Sequence, residues 1–417
     1  MSQSSINPQK LLQWRIECLG HSLIEGLAGL LPGPWLFRLG EALGGLVWHF
    51  MPLRRKMILR NLRIAFAGEM DLSQLRCLAK DTFRRTGGNL LSAAHTARLA
   101  PQQLAEVIHI ENLDLLEQAL AGGHGVVLLL AHMGNWEILS RLVHLFPKGS
   151  RTGAFYRPLN NRLLDERVLQ RRQADGTRMF SKRDNPHHVA GFLRAGGIVG
   201  ILADQRVGIQ GERVSFFGRS TRVSPLPSLL ARRTKSTVLA LSVTTERPGK
   251  WRAVFMPVEP PPTTANCMVA LEQAMRAGAV DVFWFQERWK LIIDHEHLLL
   301  DWLGPVGAGD GGKPHRALLW LAGVCAAWQL PEVWTHPDVI YEVALSSGQA
   351  LPAWLPAATR VHVVSADTDR AARRKALSAI DLAASLPVDF ILTAGADPVL
   401  AKAARLEGIP LIFLPLP

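Results

Sequence analysis

The fold is decided by the stretch Val126-Val-Leu-Leu-Leu-Ala-His132-Met-Gly-Asn-Trp-Glu137, in which an apolar run leads directly into a histidine, a glycine turn and a carboxylate. Such a run predicts a buried strand of a layered α/β fold. Gly134 gives the chain the freedom to turn, and Asn135 suits the N-cap of a following helix. The strand therefore brings His132 to its carboxyl end, the edge at which α/β sheets place their sites.

A histidine–carboxylate dyad is the first chemical expectation. On one continuous helix His132 and Glu137 would be about 140° apart and could not meet. With a strand–turn–helix break, Glu137 falls in the first helical turn and reaches back to an imidazole nitrogen. In such a dyad the carboxylate orients the histidine, which then takes a proton from a substrate hydroxyl. The alternative is a strand-end histidine with a structural role only.

The rest of the chain predicts an α/β architecture around a mixed, mostly parallel sheet, because short apolar runs alternate with helical periods from residue 107 to about 300. The predicted strands are Val126–Leu130, Thr152–Tyr156, Ile198–Leu202, Thr237–Val243 and Arg252–Pro257; the predicted helices are Leu113–Ala121, Trp136–Leu145, Asn161–Gln173, Pro186–Arg194 and Pro225–Arg233. A small C-terminal Rossmann-like α/β unit is predicted from strands Val361–Val364, Phe390–Thr393 and Leu411–Leu414 and helices Arg370–Ser385 and Pro398–Glu407.

The N-terminal region predicts an amphipathic membrane anchor. Apolar residues recur along one helix at spacings of three and four: Leu12, Ile16, Leu19, Leu23, Leu27 and Leu30. No uninterrupted run approaches the roughly 20 apolar residues of a lone transmembrane helix. An interfacial position on an anionic leaflet is favoured by Trp14, Trp35 and Trp48 and by the basic residues Arg54, Arg55, Lys56, Arg60 and Arg63. A pair of ordinary surface-packed helices is the alternative.

Charge is distributed unevenly along the chain. The 417 residues carry a net charge of +12, of which residues 1–305 contribute +13 and residues 306–417 contribute −1. The shift coincides with the glycine-rich stretch Gly304–Gly312, which marks a domain boundary. We therefore expect anchoring helices in 1–63, the main α/β domain in 64–303 and a small α/β domain in 313–417, whose function the sequence leaves unassigned.

The composition and motifs of the chain indicate which classes of partner and ligand to expect. A basic chain with a mean hydropathy of +0.11 favours an anionic membrane surface over nucleic acid. Only two tyrosines are present and no stacking motif is recognisable, so no nucleic acid is expected. Asp294–His297 is rich in ligand-type side chains but lacks a third ligand at a suitable spacing, so neither a metal nor a cofactor is predicted. Asp367, Asp369 and Asp397 at strand ends are expected to be helix N-caps.

Several motifs in order resemble a known family. His132 and Glu137 form an H-x-x-x-x-[DE] pattern, and Leu-Leu-Leu-Ala-His-Met-Gly-Asn-Trp-Glu around them is similar to the late acyltransferases of lipid A biosynthesis, the lauroyl and myristoyl type. Tyr156-Arg-Pro-Leu-Asn-Asn161 resembles the second motif of that family, Ala203-Asp-Gln205 its third, and Phe216-Phe-Gly218 its aromatic–glycine turn. The resemblance covers roughly residues 25–300.

This resemblance implies an acyltransferase that moves a fatty acyl group from acyl carrier protein, or from coenzyme A, to a hydroxyl of a lipid A precursor or related phosphorylated glycolipid. It implies that His132 is the general base and Glu137 its partner. Arg157 would stabilise the oxyanion or bind phosphate, and substrate binding would fall to the residues of the second and third motifs, namely Arg157, Asn160, Asp204, Gln205 and Arg206. The enzyme would be peripheral or monotopic on the inner membrane, with its active site on the cytoplasmic side.

Two alternatives stay open from the sequence. The same chemistry on a lysophospholipid, an ornithine-type lipid or a mannose of a glycolipid would leave the motifs unchanged. A non-catalytic module that binds anionic membranes would keep the charge and the apolar helix but make the dyad structural.

Overall fold

The computed structural model describes residues 7–181, 184–291, 299–304, 312–324, 328–365 and 369–414. The stretch Asp294–His297 and Asp367 lie outside these ranges. Contacts divide the chain into two compact units, and each is assembled from three segments. The first unit contains Met1–His49, Lys80–Asp204 and Ser224–Phe283, and the second contains Phe50–Ala79, Gln205–Val223 and Trp284–Pro417. The domain boundaries expected along the chain stay predictions.

The strands of the structure are β1 (Ile108–Glu111), β2 (Val126–Leu130), β3 (Thr152–Tyr156), β4 (Arg178–Ser181), β5 (Ile198–Leu202), β6 (Glu212–Phe216), β7 (Arg219–Val223), β8 (Thr237–Arg247), β9 (Lys250–Pro257), β10 (His315–Trp320), β11 (Val339–Ser346), β12 (Arg360–Val364), β13 (Phe390–Ala394) and β14 (Leu411–Leu414). The α-helices are α1 (Pro8–Ala28), α2 (Gly33–Phe50), α3 (Pro52–Ala65), α4 (Leu72–Thr96), α5 (Pro101–Val107), α6 (Leu113–Ala121), α7 (Arg162–Gln173), α8 (Pro186–Arg194), α9 (Leu226–Thr234), α10 (Thr264–Arg276), α11 (Leu299–Leu303), α12 (Arg370–Leu382) and α13 (Pro398–Glu407). Short 3₁₀ helices cover Trp136–Leu145, Ala279–Asp281 and Glu332–Trp334.

The first unit is built on a seven-stranded sheet in the order β1-β9-β8-β2-β5-β3-β4. Its neighbouring strands are parallel except for β8 and β9, which confirms the mixed, mostly parallel sheet. All five residues of β2 are buried, as its continuous apolar sequence requires of a central strand. The short strands β1 and β4 escape prediction because neither contains an apolar run.

The predicted helix at Trp136–Leu145 is confirmed with the expected bounds, and it is a 3₁₀ helix. Runs longer than three or four residues are uncommon for this conformation and often mark a strained or functional segment. Asn135 precedes it, but its side chain donates to Thr96 Oγ1 at 3.0 Å and does not cap the helix.

The N-terminal helices of the first unit leave apolar side chains in solvent. α1 buries Trp14 and Cys18, so Trp14 is not available as an interfacial anchor. The described members of the predicted apolar stripe, by contrast, are exposed: Leu12, Ile16, Leu19, Leu23 and Leu30. α2 approaches α4 closely, because a Cβ on Gly40 would lie 2.4 Å from the carbonyl oxygen of Gly87. Within the described ranges, no helix is long and apolar enough to cross a membrane.

The second unit contains a five-stranded parallel sheet in the order β12-β11-β10-β13-β14. α12 and α13 pack on one face through a core that includes Leu377 and Leu400. The opposite face packs against Trp302, Trp328 and other apolar side chains from α11 and the loops. The parallel strand order is that of a Rossmann-like unit. A doubly wound fold also has helices on both faces of its sheet, whereas here loops supply much of the second face.

The described aspartates at the strand ends of the second unit are N-caps, as expected. Asp369 accepts hydrogen bonds from the backbone N–H groups of Ala371 and Ala372. Asp397 accepts from the first turn of α13 and also pairs with Arg373.

α3 turns its basic face toward carboxylates of its own unit. Lys56 Nζ lies 2.6 Å from Glu407, Arg60 lies 2.9 Å from Asp389, and Arg63 lies 2.5 Å from Asp381. These three basic residues recur at i, i+4 and i+7, which places them on one side of the helix. The charges of these three residues are therefore paired within the protein, and the contact expected between this basic stretch and an anionic leaflet stays a prediction.

Candidate active site

The carboxyl end of β2 holds a histidine–aspartate pair. The side chain of His132 is 16% exposed, whereas that of Asp204, just after the neighbouring strand β5, is 0% exposed. His132 Nδ1 lies 2.8 Å from Asp204 Oδ1, and the His132 backbone N–H donates to Asp204 Oδ2 at 3.1 Å. An ionised carboxylate only accepts hydrogen bonds, so Nδ1 carries the proton. Nε2 is left as the basic nitrogen of the imidazole.

The turn after His132 is fixed by a second backbone segment. Gly134 has φ of +56°, and a Cβ there would lie 2.4 Å from the carbonyl oxygen of Val243, so only glycine fits. The Gly134 N–H donates to the Asp281 carbonyl at 3.0 Å, and the Phe283 N–H donates to the His132 carbonyl at 2.7 Å. The histidine backbone is thereby held on both sides.

Asp281, a residue that the sequence does not single out, anchors this segment through a buried carboxylate. Its oxygens accept from Asn89 Nδ2 at 3.0 Å, from the Thr245 N–H at 2.9 Å and from the Thr245 hydroxyl at 2.5 Å. Trp251 Nε1 donates to Asn89 Oδ1 at 2.7 Å and completes the network. No local sequence pattern predicts the role of Asp281, because its hydrogen-bond partners Thr245 and Asn89 lie 36 and 192 residues away in the chain.

Glu137 does not occupy the position expected of it. Among the described residues, its carboxylate is bonded by Arg172, with Nη2 at 2.6 Å and Nε at 3.0 Å, and the carboxylate on the imidazole is Asp204. The expected His132–Glu137 contact is therefore wrong. The 3₁₀ conformation carries Glu137 toward α7, where the planar guanidinium of Arg172 donates two hydrogen bonds to its carboxylate.

A cavity of about 80 Å³ lies between the sheet and the 3₁₀ helix. Its walls are mostly apolar and come from β2, β3, β5, the 3₁₀ helix and nearby elements; they include Leu128, Leu130, Leu139, Leu142, Phe146, Ala154, Phe155, Met179, Ile198 and Leu202. Gly200 keeps space open, since a Cβ there would lie 3.0 Å from the Leu130 side chain. Glu137 and Arg172 are its charged lining residues, and Trp136 joins it to His132, whose ring centroid is 5.6 Å from the indole.

The second motif brings a different asparagine into use from the one expected. Arg157 and Asn160 are exposed in the loop between β3 and α7. Asn161 is buried, and its side chain accepts from the Leu163 and Leu164 N–H groups, capping α7. Its amide also donates to the Trp14 carbonyl at 3.1 Å and to Glu17 at 2.8 Å, so it ties α7 to α1. The roles predicted for Arg157 and Asn160 stay predictions.

The third motif is divided between the units. Asp204 closes a segment of the first unit, whereas Gln205 and Arg206 begin a segment of the second. Gln205 is exposed. Arg206 donates to the Lys290 carbonyl at 2.6 Å and lies over the Trp302 ring, and burial lowers its pKa. Its guanidinium is thus engaged within the second unit, and the substrate-binding roles of Gln205 and Arg206 stay predictions.

Within the described ranges, no group of three or more histidine, cysteine, aspartate or glutamate side chains is arranged to hold a metal ion. The His132–Asp204 pair is the acid–base group that the described residues form at the carboxyl end of β2. A neutral imidazole held in one tautomer by a buried carboxylate suits proton abstraction from a hydroxyl.

The known proteins that are similar to this chain are acyltransferases. The family described as bacterial lipid A biosynthesis acyltransferase matches residues 6–291. A lipid A biosynthesis palmitoleoyltransferase of Escherichia coli (strain K12) is 24% identical over 269 residues, which are 62% of this chain and 86% of that protein. A lipid A biosynthesis lauroyltransferase of the same organism is 24% identical over 299 residues, 69% of this chain and 94% of that protein. A phosphatidylinositol mannoside acyltransferase of Mycobacterium tuberculosis (strain ATCC 25618 / H37Rv) is 27% identical over 227 residues, 53% of this chain and 69% of that protein.

The family match and these relatives define an acyltransferase, an enzyme that transfers an acyl group from a donor to a lipid or glycolipid acceptor. The family match spans more than half of the residues. The chain belongs to the bacterial lipid A biosynthesis acyltransferase family.

Proposed function

We propose that this protein transfers a fatty acyl group from acyl carrier protein, or from coenzyme A, to a hydroxyl of a lipid A precursor or related phosphorylated glycolipid. The observation that carries the mechanism is the buried Asp204 carboxylate, which binds both Nδ1 and the backbone N–H of His132. The family and the relatives support an acyl donor and a glycolipid acceptor in general. They leave the donor and the acceptor hydroxyl to be tested.

The proposed step is a direct attack on a thioester. His132 Nε2 takes the proton of the acceptor hydroxyl as its oxygen bonds to the thioester carbonyl carbon, and Asp204 stabilises the imidazolium that forms. The C–S bond of the tetrahedral intermediate then breaks, and the imidazolium returns its proton to the departing thiolate. Arg157, on the loop after β3, is proposed to bind the oxyanion or an acceptor phosphate, because a guanidinium offers a planar fork of donors.

The apolar cavity beside Trp136 is proposed to receive the first part of the acyl chain. Its walls suit hydrocarbon, but about 80 Å³ is less than the roughly 150 Å³ of a void that holds benzene. A whole acyl chain therefore requires the cavity to widen, and Glu137 and Arg172 are the ion-paired side chains in its lining. In this proposal Glu137, the acidic residue of the H-x-x-x-x-[DE] pattern, contributes to binding of the acyl chain and does not orient His132, the general base.

The exposed apolar face of α1 and α2 is proposed to lie on an anionic leaflet of the inner membrane, with the active site on the cytoplasmic side. Leu19 and Leu23 on α1 and Trp35 on α2 are 72%, 63% and 64% exposed. Burying a leucine side chain gains about 1.5–3 kcal/mol. Leu19→Asp/Leu23→Asp should therefore lose sedimentation with phosphatidylglycerol vesicles by more than tenfold; unchanged sedimentation would remove the anchor.

A donor–acceptor assay tests the reaction itself. The purified protein is given acyl carrier protein loaded with a radiolabelled acyl group, or radiolabelled acyl-coenzyme A, together with a lipid A precursor, a lysophospholipid or an ornithine lipid. We expect product with the phosphorylated glycolipid and none from His132→Ala. A lysophospholipid product alone would favour the alternative acceptor. Vesicle binding without turnover by any pair would favour the non-catalytic module.

A further inference from the structure

A groove of about 390 Å³ runs between α1 and α7 in the first unit, away from the chemistry at His132. Each helix contributes one face at the spacing i, i+3, i+4, i+7, which is the spacing that lines a shared channel. The lining residues are Arg15, Cys18, Leu19 and Ser22 on α1 and Leu163, Glu166, Arg167 and Gln170 on α7.

The groove carries two guanidinium groups that face it from opposite helices. Arg167 donates to the Ser22 hydroxyl at 2.6 Å. Within the part of the chain that the structure describes, neither Arg15 nor Arg167 forms an ion pair, whereas the nearby Glu25 pairs with His21 and Arg171. The pKa of His21 beside them is lowered by burial and then by Arg171 and Arg167, as a positive local potential requires.

The other lining groups suit a ligand that is polar at one end and apolar at the other. Glu166, Gln170 and Ser22 supply acceptors and donors of the kind that bind sugar hydroxyls. Leu19 and Leu163 flank them and are 72% and 36% exposed. The exposed stripe of α1 continues from Leu19, so apolar chains that leave the groove would meet further leucine side chains.

The groove is also joined to the motif loop of the active site. Asn161 caps α7 and bonds the α1 backbone at Trp14, which fixes how the two helices meet. The loop that ends at Asn161 leaves the carboxyl end of β3, which is separated from β2 and His132 by one strand of the sheet. At 1.5 Å per residue, Arg167 lies about 9 Å further along the helix from Asn161.

We propose that this groove binds the phosphorylated sugar headgroup of the lipid acceptor, with its phosphate between Arg15 and Arg167. Guanidinium groups bind phosphate through two parallel hydrogen bonds, which holds the headgroup in one orientation. Gln170, Ser22 and Glu166 contact the sugar hydroxyls, and the leucines contact the acyl chains. The inference rests on the proposed function, since it assigns a binding site to the acceptor of that reaction.

The test compares the double variant Arg15→Gln/Arg167→Gln with the matched control Arg162→Gln/Arg232→Gln. The control removes the same charge from exposed arginines that do not line the groove. The probes are a phosphorylated, acylated glucosamine disaccharide and its phosphatase-treated form, each in neutral detergent micelles. A lost charge-assisted hydrogen bond weakens binding by about tenfold or more. We expect the double variant to raise KM for the phosphorylated acceptor by at least about tenfold with kcat within twofold, and the control to change neither.

Three results would overturn the proposal: an unchanged KM, an equal loss with the dephosphorylated acceptor, or weaker binding to phosphatidylglycerol vesicles alone. The last would show that the arginines contact leaflet lipid and not the acceptor. Equilibrium binding of both probes to His132→Ala separates this proposal from the reaction. If the protein transfers no acyl group yet binds the phosphorylated probe through Arg15 and Arg167, the groove stands and the proposed function fails.

Discussion

Exchange of Asp204 for asparagine is the sharpest test of the site, because it separates the two carboxylates near the histidine. An asparagine keeps an oxygen for the His132 N–H but presents an amide N–H to Nδ1. That donor forces the ring proton to Nε2, and the nitrogen that should take the acceptor proton is then occupied. The same exchange in a Ser-His-Asp triad lowers kcat by about 10⁴-fold. We expect a fall of about 10³–10⁴-fold here, equivalent to about 4–5.5 kcal/mol of barrier.

Glu137→Gln is the matched control, since it removes the same charge five residues from His132. The glutamine keeps an acceptor for Arg172, and the half-exposed pair is worth about 0–1 kcal/mol. The expected loss is within about fivefold and falls on KM for the acyl donor. The assay is kcat for transfer of a radiolabelled acyl group, measured from pH 5 to 9 on variants with unchanged circular dichroism. A loss for Glu137→Gln as large as that for Asp204→Asn would refute the reasoning, and so would an Asp204→Asn enzyme within tenfold of wild type.

Three further predictions concern stability and backbone. Asp389→Asn should lower the free energy of unfolding by about 3–5 kcal/mol in urea titrations, because it leaves the fully buried Arg219 without its carboxylate. Burial and then Arg219 lower the pKa of His315, so the unfolded chain binds a proton at this residue more readily than the folded protein does. The free energy of unfolding should therefore decline as the pH falls below about 6.5, by up to about 1.4 kcal/mol per pH unit. His315→Asn should flatten that slope. Gly134→Ala should cost about 1–3 kcal/mol and most of the activity, since its φ is +56° and the added Cβ meets Val243; full activity in that variant would show that the turn adapts.

The sequence predicts the strand and turn at His132 well, because both depend on neighbours in the chain. Five apolar residues make β2, and Gly134 has the positive φ that a turn glycine allows. The carboxylate partner of His132 is harder to predict, because it is distant in the chain. Spacing along the chain favoured Glu137, whereas Asp204 is 72 residues away and meets His132 only because β5 is the neighbour of β2. Strand order is set by the packing of the whole sheet, and no local pattern encodes it.

The basic residues of α3 show the same limit. Their position after an apolar helix suggests a leaflet, but Asp381, Asp389 and Glu407, more than 300 residues later, neutralise Lys56, Arg60 and Arg63. Net charge summed along a sequence does not show which charges are already paired. The cap aspartates Asp369 and Asp397 were predictable, since a cap depends only on the next three residues.

The buried end of α3 has a practical consequence for anyone who shortens the gene. Arg63 is 3% exposed, and it donates to the backbone carbonyls of Asp381, Ala384, Ser385 and Leu386 as well as to the Asp381 carboxylate. A protein that ends at Leu303 would lack every one of these acceptors. It would still contain Arg63, because α3 lies within residues 6–291, which the family matches. Residues 313–417 therefore contain the acceptors of a buried guanidinium, and the recombinant protein to crystallise or assay is one that includes them.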